Sequence, residues 1–407
     1  MGASCIKGEL DPLKHELAYQ SEFFSLAHQT SDHSRLVGLH RHFNVLLFGA
    51  IGDGIADDTE AFVRAWNVAC NVTSSRVVVP SGKTFFLRQT VFKGPCAPGV
   101  TFQISGAIVA PPAPAFWSGK STEYWILFSH LESFAVDGGG TLDGQGQEWW
   151  ARSCKINSHN AVTFHKCSNL RIANITVQNG QQTQLYVEDS NGVLISDLQI
   201  IAPYSSPNTD GIHISGSQYV MITNSRITCG DDCISIQTGT SNVQILHSEC
   251  GPSHGISIGG LGQRHSFAQV NDILVDHVNL IGTMNGLRIK TWQGGQGWAS
   301  RVSYQNVRML NVSNPIIIDQ FYCDSSRPCN IQPSAVQINQ VSYKNVTGSS
   351  SNPVAISFEC SESVPCRNLL LESIQLLALW PGQRTVSRCH NARGISVGNV
   401  APGSCLD

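Results

Sequence analysis

From residue 43 onward, short runs of β-branched and other apolar residues alternate with polar ones, and the runs end near a Gly or an Asn. The segments LRIANITVQN, GVLISDLQII, YVMITNSRIT and NVQILHSEC show this pattern. A period of two is typical of strands that bury one face. The pattern therefore predicts a chain of short strands, in which long amphipathic helices are scarce.

Four further segments can be stacked so that their apolar positions coincide: NTDGIHIS, GDDCISIQ, PSHGISIG and MNGLRIKT. The shared columns are Gly211, Cys233, Gly255 and Gly286, then Ile212, Ile234, Ile256 and Leu287, then Ile214, Ile236, Ile258 and Ile289. Subtraction of residue numbers gives offsets of 22, 22 and 31 residues. A repeat of this length predicts a solenoid. Three short strands per repeat favour an all-β, right-handed single-stranded parallel β-helix, and a β-sandwich with a chance alignment is the alternative.

A solenoid needs caps that cover its open ends. The segment 57–70 starts with acidic residues and places Ala61, Phe62, Ala65, Trp66 and Ala69 at helical spacing. It predicts a short N-terminal capping helix, and we expect the region of Cys389 and Cys405 to close the other end. We predict an atypical or poorly ordered extension over residues 1–42 and a β-helix catalytic domain over residues 43–407.

The composition narrows the class of protein. With 41% hydrophobic and 14% charged residues, the chain is too apolar for a disordered protein. A net charge of −3 argues against a nucleic-acid partner, which calls for a basic domain. The sequence contains no run of 18 apolar residues, so it does not predict a membrane span. We therefore expect a monomer that binds neither nucleic acid nor membrane.

Fourteen cysteines indicate an oxidising compartment. Several lie close together in sequence, namely Cys233 with Cys250, Cys323 with Cys329, Cys360 with Cys366, and Cys389 with Cys405. Disulfide-closed loops fit this spacing better than a zinc site, and buried free thiols are the alternative. Four N-x-S/T sequons, at Asn71, Asn174, Asn311 and Asn345, also suit a secreted chain. We expect secretion, although residues 1–42 contain no apolar run of signal-peptide length.

The stacked repeats bring acidic residues together. Asp210 aligns with Asp232, His254 follows in the same column, and Asp231 precedes Asp232. Adjacent turns of a solenoid are about 4.8 Å apart, so these groups should share one patch. Crowded carboxylates resist joint ionisation, so the pKa of at least one should rise. An acid and a base in one patch is what glycosidic cleavage needs, and this chemistry requires no metal or cofactor.

A cationic patch is predicted beside the acids. Leu287 and Ile289 occupy inward columns, so Arg288 and Lys290 should point outward. Such a patch suits a sugar that carries a carboxylate. Taken singly, the features have simpler readings: a turn-forming Asp, a calcium-binding Asp pair, a buried histidine and a solvated basic face. By parity Asp210 would face inward with Ile212, so a bend is predicted at Gly211 and Cys233.

The motifs SPNTDG (206–211), GDDC (230–233), SHG (253–255) and RIK (288–290) resemble those of the polygalacturonases, glycoside hydrolase family 28. The resemblance covers about residues 43–405, and GLRIKTWQGG and NPIIIDQFYC look like the plant branch. It implies an inverting hydrolase of α-1,4-galacturonosyl linkages in polygalacturonan. It further implies a general acid, Asp231, two water-activating residues, Asp210 and Asp232, and His254 tuning the acid. Arg288, Lys290, Asn208 and Tyr322 would bind substrate.

Three positions depart from the family pattern: Ser253 replaces Gly, Leu47 replaces Asp, and Gly260 replaces a common Ser. A hydroxymethyl group at Ser253 could shift His254 and lower activity. The alternatives are a rhamnogalacturonan hydrolase or calcium-dependent lyase on the same scaffold, and a catalytically weak wall-binding homologue. Endo or exo action is not readable from the sequence, because it depends on loops at the ends of the groove.

Overall fold

The alternating segments form parallel strands that stack in register in a computed structural model, which describes residues 41–117, 123–152, 159–324 and 329–407. The predicted extension over residues 1–42 lies outside these ranges, except for its last two residues. The result is a parallel β-helix whose unit spans His42–Asp407. The predicted fold class is confirmed.

Two sheets make up the β-helix, and every strand pairing among the described residues is parallel. Sheet A contains β1 (His42–Asn44), β2 (Asp53–Asp57), β3 (Arg76–Val79), β4 (Thr84–Phe86), β6 (Thr101–Ile104), β7 (Ala107–Val109), β9 (Ala135–Asp137), β10 (Thr141–Asp143), β12 (Ser168–Ala173), β13 (Thr176–Gln178), β15 (Asn191–Ser196), β16 (Gln199–Ile201), β18 (Gln218–Thr223), β19 (Arg226–Thr228), β21 (Thr240–Leu246), β22 (Glu249–Cys250), β24 (Phe267–Asp276), β25 (Asn279–Ile281), β27 (Gln296–Val312), β29 (Gln337–Ser350), β31 (Cys366–Ala378) and β33 (Ala392–Ala401). Sheet B contains β5 (Thr90–Lys93), β8 (Tyr124–Ser129), β11 (Asn160–His165), β14 (Leu185–Glu188), β17 (Ile212–Ser215), β20 (Ile234–Ile236), β23 (Ile256–Leu261), β26 (Asn285–Trp292), β28 (Asn314–Tyr322), β30 (Val354–Glu359) and β32 (Val386–His390).

The predicted apolar columns are the core of this ladder. Ile212 pairs with Ile234, Ile234 with Ile256, and Ile256 with Leu287 along sheet B. These side chains are fully buried. Each stacked aliphatic side chain removes apolar area from water, and this burial stabilises the fold by about 25 cal/mol per Å². The column that the sequence aligned is thus the column that holds neighbouring turns together.

Helices are short and lie outside the ladder: α1 (Thr59–Ala69), α2 (Gln147–Trp150), and the 3-10 turns η1 (Val45–Phe48), η2 (Pro114–Phe116) and η3 (Gln263–His265). Helix α1 is the predicted cap, and its five predicted apolar residues are all buried. The Phe62 ring lies 5.3 Å from Phe85, and the Trp66 ring lies 5.3 Å from Phe92. The cap therefore covers the aromatic core of the first turns. In the described ranges, no helix has the length and apolarity to cross a bilayer.

Five disulfides link the described cysteines: Cys70–Cys96, Cys233–Cys250, Cys323–Cys329, Cys360–Cys366 and Cys389–Cys405. Four of them join the neighbours that the sequence grouped, and Cys70–Cys96 adds a pair that its spacing of 26 residues concealed. Cys389–Cys405 ties the chain's last residues to β32. Cys167 and Cys229 are buried free thiols.

Candidate active site

The predicted acids lie where the chain enters sheet B. Asp210, Asp232 and His254 each stand two residues before the first isoleucine of β17, β20 and β23. The chain bends at Gly211 and at Cys233, as the parity argument required. Each bend turns the preceding carboxylate away from the inward isoleucine column. The acids are thereby brought to the outer face of the sheet.

Close packing under these bends explains their residue types. A Cβ at Gly211 would lie 2.4 Å from Ile227 Cγ2 and 2.5 Å from the carbonyl oxygen of Cys233. Only glycine therefore fits there. The fully buried Cys233 is joined to Cys250 by a disulfide within the same turn of the β-helix. The bend that carries Asp232 is thus covalently anchored.

Asp231 receives contacts from three directions. Its Oδ1 lies 3.0 Å from His254 Nδ1 and accepts a hydrogen bond from the Asp232 backbone N–H at 2.9 Å. Asn208 Nδ2 donates to its Oδ2 at 3.3 Å. The side chain keeps 21% of its surface exposed. Asp231 is therefore oriented by its neighbours and still open to solvent.

Asp232 lies deeper and is ion-paired. Arg288 Nη2 donates to Oδ1 at 2.6 Å, and Lys290 Nζ donates to Oδ2 at 2.8 Å. Ser257 Oγ also donates to Oδ1 at 2.8 Å, and it accepts from Arg288 Nε at 3.0 Å. Only 3% of the Asp232 side chain is exposed. Both carboxylate oxygens are therefore occupied by donors.

Asp210 has weaker partners. Ser235 Oγ donates to its Oδ2 at 2.7 Å, and His213 Nδ1 lies 3.3 Å from the same oxygen. The Ser235 hydroxyl also lies 2.7 Å from His213 Nδ1. No hydrogen bond from a described residue reaches the other oxygen, Oδ1. Asp210 thus offers one free carboxylate oxygen.

These surroundings separate the acids electrostatically. Burial raises the pKa of Asp210, and the charges of Asp231 and Asp232 raise it further, against the opposing effect of His213. Burial pushes the pKa of Asp232 upward as well, but Lys290 and Arg288 outweigh it and hold that pKa below its usual range. The prediction that one carboxylate of the cluster has a raised pKa is confirmed. Its largest cause is desolvation rather than crowding.

The two predicted cations lie inside this network. Arg288 and Lys290 do point away from the core, but their nearest partner is Asp232, so they are not a free patch. Burial would lower the pKa of Lys290, yet the Asp232 carboxylate raises it above its usual value. Lys290 Nζ also lies 5.3 Å from the centre of the Tyr322 ring. Arg288 retains Nη1, and Lys290 retains two ammonium protons, for a further acceptor.

A groove continues from Asp210 towards the N-terminal turns. A cleft of about 210 Å³ is lined by Asn160, Gln182, Thr183, Tyr186, Asn208, Asp210 and His213. Its lining is mainly polar, with the Tyr186 ring 4.9 Å from the His213 ring. A cleft of this kind can hold a hydrated, hydroxyl-rich ligand beside the acids.

The site is poorly suited to a metal ion. Asp231, Asp232 and His254 offer ligand atoms within 4.8 Å of one another. Binding through Asp232 would, however, have to compete with the charges of Arg288 and Lys290 at 2.6 and 2.8 Å. Because like charges repel, these two fixed cations oppose the binding of a metal ion beside them.

The three departures from the family pattern leave the site assembled. Ser253 is buried, and its Oγ accepts a hydrogen bond from the Gly255 N–H at 3.2 Å, which braces the turn that carries His254. A Cβ at Gly260 would lie 2.7 Å from Trp292 Nε1, so the glycine makes room for that ring. Leu47 is 82% exposed, so its side chain does not pack in the core.

Four site residues were not predicted from the sequence: His213, Ser235, Ser257 and Tyr204. The two serines and His213 belong to the outward column next to the isoleucines, where Ser235 pairs with His213 and Ser257 with Arg288. Their column position was visible, but their hydrogen bonds to carboxylates were not. Tyr204 lies in the turn that precedes the NTDG motif and carries no recognisable signal.

Comparison with known proteins identifies the family. The model of "Glycosyl hydrolases family 28" matches residues 70–404. The chain is 47% identical over 367 residues to a probable polygalacturonase of Arabidopsis thaliana, covering 88% of this chain and 83% of that protein. It is 44% identical over 367 residues to polygalacturonase-2 of Solanum lycopersicum, covering 88% and 80%. The chain belongs to glycosyl hydrolases family 28.

Solved structures confirm the fold. A polygalacturonase from Erwinia carotovora superposes with a TM-score of 0.71 at 23% identity, covering 90% of this chain and all of that one. An endo-xylogalacturonan hydrolase from Aspergillus tubingensis superposes with a TM-score of 0.77 at 23% identity, covering 89% of this chain and all of the other. The same β-helix thus occurs in enzymes with different named substrates.

Proposed function

We propose that this chain hydrolyses α-1,4-galacturonosyl linkages of polygalacturonan, with inversion at the anomeric carbon. The observation that carries the proposal is that two neighbouring carboxylates, Asp210 and Asp232, are in opposite electrostatic states beside a third, Asp231, that is more open to solvent. Asp232 is held ionised by two cations, while Asp210 resists ionisation. Glycosidic cleavage needs both a proton donor and a proton acceptor around one bond. Relatives named as polygalacturonases cover most of the chain and support the same substrate.

In this proposal Asp231 is the general acid. It is the most exposed of the three carboxylates, and Asn208 and His254 fix its orientation. It would protonate the leaving glycosidic oxygen. The His254 ring, 3.0 Å away, would share or return that proton.

The attacking water would bind between Asp210 and Asp232. Asp210 Oδ1 is free to accept a proton, and a base works best when its pKa lies near the working pH. The raised pKa of Asp210 fits that role. Asp232 keeps its charge and would orient the water, while the spare donors of Arg288 and Lys290 would bind a galacturonate carboxylate in bidentate fashion. Tyr322, in contact with Lys290, would border this subsite.

We also propose that the protein is secreted and acts as a monomer. The chain forms five disulfides, and such bonds persist in the oxidising environment that secreted proteins meet. A weakly active wall-binding homologue gains no support from the geometry, because the acid network is intact around Ser253. The relatives named as polygalacturonases give no support to a rhamnogalacturonan hydrolase.

The test is the variant Asp231→Asn assayed on de-esterified polygalacturonate. The amide keeps the shape but cannot donate a proton, so turnover should fall about 10²- to 10⁴-fold. New reducing ends measure chain cleavage, ultraviolet absorbance at the same time shows the unsaturated ends that only a lyase makes, and product sizes separate endo from exo action. Isothermal titration with trigalacturonate checks that the variant still binds.

Arg76→Gln is a matched control, since Arg76 pairs with Asp137 on sheet A, away from the acid network. It should leave turnover unchanged. Wild-type protein that binds oligogalacturonate and releases no reducing ends would support the wall-binding alternative. Unsaturated products that vanish with a chelator would support a lyase.

A further inference from the structure

An exposed aromatic ring stands beside the acid network. Tyr204 lies in the turn between β16 and β17 and is 47% exposed. The centre of its ring is 6.3 Å from that of His254, and the ring planes make an angle of 78°. His254 in turn contacts Asp231. Tyr204 is therefore an aromatic neighbour of the proposed acid that folding has left open to solvent.

The turn that presents Tyr204 is firmly held. Ser206 and Thr209 are buried, and their hydroxyl oxygens lie 2.7 Å apart. Thr209 Oγ1 also accepts a hydrogen bond at 2.9 Å from the N–H of Gly230, which begins the GDDC turn. A Cβ at Gly230 would lie 1.8 Å from the carbonyl oxygen of Ser206. The Tyr204 turn and the Asp231 turn are thus packed against each other, so the ring has a fixed place relative to the acid.

Few intramolecular contacts involve the Tyr204 side chain. Within the described residues, the Tyr204 hydroxyl makes no hydrogen bond, and its only ring contact is the nearly perpendicular one with His254. A large aromatic residue that is half exposed, sits on a packed turn and has a free polar tip is typical of a binding surface. A pyranose ring matches it, because its axial C–H groups form an apolar face and its rim carries hydroxyls.

We propose that Tyr204 is a specificity-determining residue, which stacks on the galacturonosyl ring bound next to Asp231 on the His254 side. This inference rests on the proposed function, because it assumes a sugar at the acid. The polar cleft extends from Asp210 towards the N-terminal turns, so Tyr204 would supply an aromatic contact on the other, His254 side of the acid. Its ring would help to choose a pyranose over an extended acyclic anion.

A purely structural role makes a different prediction. If Tyr204 only oriented His254, its removal would disturb proton sharing with Asp231, and kcat and its pH profile would change while KM stayed constant. A stacking ring contributes to binding of the ground state and the transition state alike. Its removal would therefore raise KM and leave kcat nearly unchanged.

The experiment compares Tyr204→Ala with Tyr204→Phe on short oligogalacturonates. Loss of the ring should raise KM about tenfold, with kcat within about twofold of wild type. The phenylalanine variant keeps the stacking face and should remain within about threefold in KM. Tyr219→Ala is the matched control, because Tyr219 is 38% exposed on strand β18 of sheet A, and its KM should not move. An unchanged KM for Tyr204→Ala, or a fall in kcat alone, overturns the proposal.

Binding in the Asp231→Asn background separates this inference from the proposed function. Trigalacturonate titrated into Asp231→Asn and into Asp231→Asn/Tyr204→Ala should show a Kd about tenfold weaker for the double variant. This difference reports on Tyr204 even if the wild-type chain proves to lack turnover. Equal affinities with normal wild-type turnover refute only the role of Tyr204, whereas no binding by either protein refutes both proposals.

Discussion

Asp210 and Asp232 occupy equivalent places one turn of the β-helix apart, and their surroundings act on them in opposite directions. Both precede the same isoleucine column, and both are largely buried. Asp232 contacts two cations from a later turn, whereas Asp210 contacts a hydroxyl and an imidazole. Burial disfavours the charge of both, but His213 offsets this only in part for Asp210, whereas two cations outweigh it for Asp232.

The difference shows how a repetitive scaffold makes unlike groups from like residues. Each turn presents the same backbone position, so the chemistry of one carboxylate is decided by the outward residues of its neighbours along the column. The turns after Asp232 contribute Arg288 and Lys290. The turn before Asp210 contributes Tyr186, which carries no charge to compensate the carboxylate.

The largest expected contrast is between Asp232→Asn and Asp210→Asn. Removing the Asp232 charge leaves two buried cations facing a neutral amide, so the free energy of unfolding at pH 7 should fall by about 3–5 kcal/mol. Removing the Asp210 charge relieves an uncompensated buried carboxylate, so stability should stay equal or rise. Both variants should lose most turnover. Denaturant titrations followed by circular dichroism give the stability, and reducing-end assays give the activity.

The comparison fails if the two variants lose the same stability. Arg301→Gln serves as a control, because Arg301 and Asp272 form an exposed ion pair on sheet A. Exposed ion pairs contribute little, so this change should cost less than about 1 kcal/mol. Equal losses in all three variants would mean that the charges of Arg288 and Lys290 do not set the state of Asp232.

Much of this arrangement follows from the sequence because a solenoid repeats local patterns. The isoleucine columns, the helix over residues 59–69 and the approach of Asp210 to Asp232 depend on short-range periodicity and a constant spacing between turns. Once the columns were aligned, their register was determined. The bends at Gly211 and Cys233 were predicted for the same reason, since parity alone pointed Asp210 into the core.

The sequence did not reveal which charges pair. Lys290 and Asp232 are 58 residues apart, and their contact depends on the reach and rotamer of a long side chain across two strands. Ser235 and Ser257 look alike in sequence, yet each serves a different carboxylate. Tyr204 follows no column, because turns outside the strands have no fixed register. Side-chain direction at bends and in turns is the part that required coordinates.

The pH dependence of stability should separate the same two acids. The pKa of Asp232 is lowered on folding, so its contribution is present above the unfolded value of about 3.9 and is lost as the pH falls through the lower folded value. The pKa of Asp210 is raised, so its contribution is present below about 3.9 and is lost as the pH rises through the higher folded value.

Unfolding titrations between pH 3 and 7 test this sign. Wild-type protein should lose stability as the pH rises above about 4 to the extent that Asp210 ionises, and Asp210→Asn should lack this decline. Asp232→Asn should instead remove part of the loss seen at the acidic end. A decline towards neutral pH that persists unchanged in Asp210→Asn would contradict the assignment of the raised pKa.

The smallest expected effect comes from the hydroxyl groups that distinguish the two carboxylates. Ser235 donates to Asp210, and a donor to the charged form lowers the pKa of a carboxylate, so Ser235→Ala should raise it further. If Asp210 is the base, the loss of activity at low pH should shift upward by about 0.5 to 1 pH unit, with kcat at the optimum little changed. Ser257→Ala removes the equivalent donor from Asp232, but Lys290 and Arg288 still hold that carboxylate ionised. Its pH–rate profile should therefore keep the wild-type acidic limb, and equal shifts in both variants would show that the limb belongs to another group.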